Sequence, residues 1–556
     1  MVHTEKRLST PVPPIARETM TGGEALVASL MTEGVNQIFG LPGVQLDGAF
    51  DALHAKQQEI PVLHPRHEQA AAYMADGYAR VTGRVGTCLV VPGPGLLNAT
   101  AALSTAYACN SPVLCVTGQI QSDMIEFGRG LLHEIPNQMG MIRSVTKWAG
   151  RAMTPQEIPG LVREAFTQIN SGRTRPAEIE IPPDVLFATG EVDLLPASDP
   201  EPVIPGDPLM LEQAAELLVS AKRPLIWAGG GINRANAGAE LLALAERLQA
   251  PIVLTANGKG AVSDRHYLVQ NILGGIELIK DADVVLAVGT RFVDPVISKW
   301  GLKPEHTVIQ MDIDPEELSR NTKAKVNIRA HAKAGLAALG ALLSEARIER
   351  PSAEVELNDM KQRLAEKALA VGLQGEMAMA IRRALPDDGI FVSEMTQVGY
   401  WANFALPMYQ PRTFITAGYQ GTLGYGFPTA LGAKVGAPDK VVVSVNGDGG
   451  FGFCLNELST MARHNIKAIT VVFADDAYGN VRRIQNEQFG GRTIASDLLN
   501  PDFAKLAEVF GVAGRRAETP AALEQQISEA IKADEPTVIE VPMPVVPNPW
   551  TTLGIR

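Results

Sequence analysis

The segment GDGGFGFCLNELSTMARHNIKAITVVFADDAYGN, residues 447 to 480, is the one from which the rest of the chain is read. An apolar, β-branched run, Val441 to Val445, leads into it, and Gly447-Asp448-Gly449-Gly450 turns the chain toward a helix-like stretch, Leu455 to Arg463. A second apolar run, Ala468 to Phe473, follows. Strand, glycine turn, helix and strand make a parallel unit whose helix N-terminus offers unpaired N–H groups and a positive dipole, the natural seat of a phosphate. Asp448 and Asp475 stand at the ends of the two strands, and adjacent parallel strands end side by side, so both carboxylates can face one crevice. A carboxylate pair beside a phosphate suits magnesium, a hard ion with oxygen ligands. An ordinary nucleotide-type crevice with incidental acids is the alternative that this stretch by itself leaves open.

A chain of 556 residues exceeds one hydrophobic core, so two to four domains are expected. Hydrophobic content of 46% with 20% charged residues is ordinary globular composition, and a formal charge of -12 argues against nucleic acid or an anionic membrane as partner. Cys88, Cys109, Cys115 and Cys454 sit in apolar runs without a CxxC pair and read as reduced core residues. The opening MVHTEKRLSTPVPP has no apolar signal core, and no stretch is long and apolar enough to span a bilayer; a cytoplasmic location is expected.

Upstream the pattern alternates. Thr21-Gly22-Gly23-Glu24 predicts a capping box opening a helix to about Glu33. Strands near Gln37 to Phe39, Ile60 to His64 and Gly86 to Val91 then alternate with helices at Leu46 to His54 and Glu68 to Val81. A linker rich in proline and acid, Glu191 to Pro208, follows, and Asp207-Pro208 predicts the cap of the next helix. Strands Leu225 to Ala228, Ile252 to Thr255, Val284 to Val288 and Val308 to Asp312 form a second unit, whose Ala228-Gly229-Gly230-Gly231 only partly matches a dinucleotide turn. After a charged helix, Glu354 to Ala370, a third unit carries strands at Gly389 to Ser393, Val441 to Val445, Ala468 to Phe473 and Thr537 to Val541. The expected fold is α/β: three doubly wound parallel-sheet domains, at about 18–188, 206–345 and 372–545.

The GDG turn and the acid at Asp475 resemble the diphosphate motif of thiamine diphosphate enzymes, although that family usually has Asn-Asn where this chain has Ala474-Asp475. The three units then resemble that superfamily's pyrimidine-binding, central and diphosphate-binding domains. The resemblance implies that Asp448, Asp475 and the carbonyl of Ala477 hold Mg2+, with Gly447, Gly449 and Gly450 lining the diphosphate turn. Tyr478, Gly479, Asn480 and Val481 would continue that contact, as would Gly399 and Tyr400 from an earlier segment. Glu68, in Arg66-His67-Glu68-Gln69-Ala70-Ala71, resembles the catalytic glutamate that bonds the aminopyrimidine ring and favours its imino tautomer; burial and a raised pKa suit a carboxylic acid to that post. A lone Glu at a helix start is also an ordinary first-turn residue. GYQGTLGYG, Gly418 to Gly426, resembles the loop that bends the cofactor, with Leu423 as wedge and the carbonyl of Gly421 accepting from the amino group; plain turn chemistry is the alternative.

Gly40-Leu41-Pro42-Gly43, Asn98, His133, Gln138, Trp401 and Ile484 fall where similar enzymes line the site, Pro42 and Asn98 against the cofactor. His133 is the candidate acid or base, because the acetolactate synthases carry a glutamine at the corresponding place of a Gln-Glu pair; a hydrogen bond within the loop is the alternative role. Acetolactate synthase is the nearest resemblance, through Thr146-Lys147-Trp148, Ile181-Pro182-Pro183-Asp184-Val185, Met311-Asp312-Ile313-Asp314-Pro315 and Asn500-Pro501-Asp502-Phe503. Arg291-Phe292-Val293-Asp294-Pro295 departs from the RFDDR of the flavin-containing branch, and the loop from Leu273 to Asp281 is short, so FAD is not expected and the flavin-free type is. The implied activity is decarboxylation and carboligation of 2-oxoacids by a homodimer or homotetramer, with Glu68 of one subunit facing the diphosphate segment of the next. Two alternatives stand beside it: a 2-hydroxyacyl-CoA or oxalyl-CoA type lyase, with Arg482, Arg483 and Arg492 as candidate CoA contacts, and a non-catalytic nucleotide-binding regulatory protein.

Overall fold

A computed structural model describes residues 12–293, 301–303 and 305–555. Asp294 and Pro295, which end the segment that departs from RFDDR, lie outside the described residues. The chain forms two compact units, one gathering the chain up to Ala79 with Arg84–Glu201, the other Arg80–Gly83 with everything from Pro202 onward.

The first unit holds a six-stranded parallel sheet in the order Val62–Leu63, Ile38–Gly40, Gly86–Val90, Val113–Gly118, Ala177–Ile181, Trp148–Arg151. The second unit holds two more. One runs Val269–Gln270, Ile252–Leu254, Pro224–Ala228, Val284–Val288, Thr307–Asp312, Val326–Arg329. The other runs Phe414–Thr416, Ile390–Ser393, Val442–Gly447, Ile469–Ala474, Thr537–Pro542, Ala513–Arg516. The first and last sheets share one strand order, 2-1-3-4-6-5 when strands are counted along each, whereas the middle sheet is wound 3-2-1-4-5-6. All three therefore have a reversal point at which two neighbouring strands lead out in opposite directions and leave a crevice at their carboxyl ends. Their strands are near-continuous apolar runs such as VVLAV at Val284–Val288, buried throughout because helices cover both faces.

Local chemistry sets the element ends. Thr21 accepts from the Glu24 N–H while the Glu24 carboxylate accepts from the Thr21 N–H at 2.8 Å, the expected capping box, and the helix runs Gly22–Thr32. Asp207 caps Pro208–Ser220 by accepting from Leu209 and Met210. Two expectations need correction. Part of the supposed linker is strand Thr189–Leu194, paired antiparallel with Ala16–Thr21. The supposed helix Leu455 to Arg463 is split: a first turn at Asp448–Phe451 follows the strand directly, then a 3-10 turn at Leu455–Glu457 and a helix at Leu458–Arg463. The expected loop from Leu273 to Asp281 is also corrected: Leu273 lies in the first turn of helix Ile272–Leu278, which takes up most of that stretch. Among the described residues no helix is long and apolar enough to cross a membrane. Cys88, Cys115 and Cys454 are buried thiols, and Cys109 is half-buried.

Candidate active site

In the second unit the reversal point of the last sheet lies between Ile390–Ser393 and Val442–Gly447, and each strand is followed directly by an acid. Asp448 is 2% exposed, and its carboxylate accepts one hydrogen bond on Oδ1 and three on Oδ2. Oδ1 accepts from the Gly449 N–H at 2.8 Å; Oδ2 accepts from the Asp475 and Asp476 N–H groups at 3.1 and 2.8 Å and from Asn500 Nδ2 at 2.8 Å. Asn500 also donates to Asp476 Oδ1 at 2.9 Å, so one amide ties the two acidic segments together. Burial raises the Asp448 carboxyl above its ordinary value in spite of those donors. Asp475, at the end of the neighbouring strand, is pushed up to about 6, first by burial and then by the charge of Asp448, against the pull of Arg482. Two carboxylates that repel across a crevice are what a divalent ion would relieve.

The glycines around them are cradles. A Cβ at Gly449 would come within 2.8 Å of the Tyr478 ring, and one at Gly479 within 2.2 Å of Asp475 Oδ2. Gly450 has no room either, because Glu394 Oε1 lies 2.2 Å from its would-be Cβ. Ala477 is buried and bridges to Asp497, which fixes the run of backbone that carries its carbonyl. The donor set therefore fits magnesium held by Asp448, Asp475 and the Ala477 carbonyl, with a diphosphate on the glycine turn. Among the described residues no cluster of three or more His, Cys, Asp or Glu forms a metal site, so the remaining ligands would come from phosphate and water.

Glu394 is the residue that sequence reading missed. It directly follows the strand Ile390–Ser393, is 1% exposed, and accepts the Gly424 N–H on Oε1 at 2.6 Å. Burial pushes its carboxyl up to about 7, moderated by the Gly424, Tyr425 and Gly426 N–H groups that open helix Gly426–Gly436. Gly399 must be glycine because a Cβ there would meet the Glu394 carbonyl at 2.3 Å; its N–H caps on Thr396 Oγ1 at 2.8 Å. Gly447 faces Thr396 at ordinary contact distance. Thus Glu394 braces the loop of Gly421 and Leu423 against the diphosphate turn. Gly421 and Gly424 have φ of 59° and 75°, the left-handed region that glycine supplies, and Leu423 is half-buried. An acid just past an apolar strand, Ser393-Glu394, was the available signal.

Tyr400 is half-buried, packs at a tilt against Trp550 with centroids 4.7 Å apart, and burial pushes its phenol up to about 12. Asn480 accepts from Arg483 at 2.7 Å, Val481 is exposed and Ile484 is half-buried. Trp401 is a correction: it is a core side chain donating to the Ala368 carbonyl at 2.8 Å, not a site wall. Arg482 and Arg483 are turned inward, Arg482 onto the Asp475 carbonyl and Asp497, Arg483 onto Glu487 and Asn480; Arg492 is exposed.

In the first unit Glu68 opens helix Glu68–Thr82. Its Oε2 accepts from Asn98 Nδ2 at 3.0 Å, and Gly95 leaves space beside Oε1. Within this unit the side chain is half-buried rather than enclosed. Pro42 is exposed in the turn after Ile38–Gly40, where Gly43 packs on Val91. The Gly40–Gly43 and Val91–Gly95 turns flank the reversal point of this sheet, as Glu394 and Asp448 flank that of the last one. His133 is half-buried, with Nδ1 3.0 Å from Gln45 Oε1. Gln138 is a buried brace: it donates to Glu180 and the Gly118 carbonyl and accepts from the Gly93 N–H.

The chain matches three family descriptions: thiamine pyrophosphate enzyme, N-terminal TPP binding domain, over residues 20–141; the central domain over 211–339; and the C-terminal TPP binding domain over 394–541. A probable acetolactate synthase large subunit of Methanocaldococcus jannaschii is 34% identical over 94% of this chain and 92% of its own. A probable 2-ketoarginine decarboxylase of Pseudomonas aeruginosa is 35% identical over 95% of each. Isozyme 3 of the Escherichia coli acetolactate synthase large subunit is 32% identical over 93% of each.

Proposed function

The chain belongs to the thiamine pyrophosphate enzyme family, and from that premise we propose that it is a thiamine diphosphate- and magnesium-dependent enzyme that decarboxylates 2-oxoacids and ligates the product, in the manner of acetolactate synthase. The observation that carries the reading is the repelling pair Asp448 and Asp475 above a turn whose glycines leave no room for a side chain.

When bound, the cofactor supplies a nucleophilic carbon and an electron sink for the carbanion left by carbon–carbon cleavage. The protein's part is position and proton control. Asp448, Asp475 and the Ala477 carbonyl hold the metal, and Gly449, Gly450 and Gly479 let phosphate oxygens approach the backbone. Leu423 would press against the cofactor between its rings, and Gly421 would offer its carbonyl to the amino group. Glu68, steered by Asn98, holds a proton against the aminopyrimidine, and His133 exchanges one with the substrate. Pro42, Gly399, Tyr400, Tyr478, Asn480 and Val481 complete the lining. The active form is a homodimer or homotetramer in which Glu68 serves the neighbouring subunit, in the cytoplasm and without flavin.

The similarity to a protein named as a 2-ketoarginine decarboxylase supports a second outcome, release of the decarboxylated product without ligation. Purified protein with thiamine diphosphate and magnesium, offered pyruvate, longer and basic 2-oxoacids and 2-hydroxyacyl-CoA esters, tests both. Carbon dioxide with a ligated product is expected from pyruvate. An aldehyde alone from a basic 2-oxoacid would favour the second outcome, and turnover confined to thioesters would overturn both.

A further inference from the structure

The loop that presents His133 is built more tightly than a surface connection needs. His133 has φ 68°, a left-handed conformation that a non-glycine residue rarely adopts. Its carbonyl lies where a Cβ at Gly93 would be, 2.2 Å away, so the two backbones interlock. Gly93 is in turn fixed through its N–H to Gln138 Oε1 at 2.9 Å, and Gln138 is pinned to Glu180 at 2.7 Å. On the other side Glu134 accepts from the Gly130 and Leu131 N–H groups at 2.7 and 2.9 Å. The loop backbone that carries His133 is therefore fixed from several directions.

Gln45, 7% exposed, determines which ring nitrogen carries the proton. Its Nε2 donates to the Leu132 carbonyl at 3.2 Å, and a carbonyl can only accept, so the amide orientation is decided there. Oε1 then faces His133 Nδ1 at 3.0 Å, and as an acceptor it requires Nδ1–H. We infer that Gln45 is a positioning residue that locks His133 as the Nδ1–H tautomer, leaving the Nε2 lone pair as proton acceptor toward a bound 2-oxoacid. A proton taken at Nε2 gives an imidazolium whose Nδ1–H still donates to Gln45, and the same nitrogen returns that proton later in the cycle. This rests on the proposed role of His133 at the substrate, but the tautomer itself does not.

The test is the ring-nitrogen chemical shifts of the cofactor-free protein carrying 15N-labelled histidine, with the His133 signal assigned among nine histidines by its loss in His133→Asn. The wild type should show Nδ1–H. Gln45→Leu should shift the population toward the Nε2–H form that an unconstrained imidazole favours, and Gln45→Glu, which still accepts from Nδ1, should keep Nδ1–H. In the loaded enzyme Gln45→Leu should lower kcat roughly 10- to 100-fold with KM within about twofold, a part of the 10²–10⁴-fold that a general base contributes. An Nε2–H signal in the wild type, or an unchanged tautomer in Gln45→Leu, would overturn the inference. Wild-type turnover in His133→Gln would overturn the catalytic use of the lock. Absence of thiamine diphosphate uptake, measured separately by calorimetry, would instead sink the family-level function and leave the tautomer result standing.

Discussion

Replacing Glu394 with glutamine should change how the stability of the apoprotein depends on pH. The side chain is buried against Gly424, Tyr425 and Gly426, and its carboxyl is raised from 4.5 to about 7. Below pH 4.5 the group is protonated in both folded and unfolded chains, so it costs nothing. Between 4.5 and about 7 the unfolded chain loses its proton while the folded one keeps it, and stability falls as pH rises. Above about 7 the loss is complete. At ~1.36 kcal/mol per pH unit it amounts to about 3 kcal/mol. Glutamine retains a carbonyl for the Gly424 N–H but cannot ionise, so that slope should vanish. Its amide also puts a donor where Oε2 has no partner, a cost of about 1–3 kcal/mol at every pH. Only the difference between two pH values is therefore diagnostic. Scanning calorimetry at pH 5 and pH 8 should show the variant gaining roughly 5–10 °C on the wild type between the two, for a cooperative unit of about 150–250 residues. A variant whose melting temperature tracks the wild type in parallel at both pH values would refute the argument.

Other outcomes follow from the same geometry. Glu68→Gln should lower turnover by roughly 10²–10⁴-fold while cofactor uptake, followed by calorimetry, persists. Asp475→Asn should relieve the repulsion from Asp448 and stabilise the metal-free protein by about 1–2 kcal/mol after solvent screening, while keeping an oxygen for the ion; thermal shift with and without magnesium checks both halves. In Gly450→Ala the new methyl meets Glu394 Oε1, which should cost about 1–3 kcal/mol in thermal stability and weaken diphosphate binding at least tenfold by titration.

Much of this architecture was legible because it is written in local chemistry. The apolar runs that end at Asp448 and near Asp475 could only be buried parallel strands, and Thr21 and Asp207 announced their helices through side chains that cap them. Ala16–Thr21 and Thr189–Leu194 escaped because they pair at the surface through polar residues such as Arg17 and Asp193, without an apolar face to betray them. The shared strand order of the first and last sheets is likewise invisible in residue patterns, since it resides in which strands pair. Trp401 falls where similar enzymes line the site, yet successive helical residues point apart, and it is the one turned into the core. Glu394 was missed for a spatial reason: the N–H groups that make it matter come from a helix start thirty residues later.

The central claim is that Asp448 anchors a metal-bound diphosphate on the turn that follows its strand. Calorimetric titration of thiamine diphosphate into the apoprotein tests it most directly, run with magnesium, with a chelator, and with Asp448→Ala. Saturable uptake in the first case, lost in the other two, is the predicted result. No uptake with magnesium present, or uptake indifferent to both the chelator and the substitution, would contradict it.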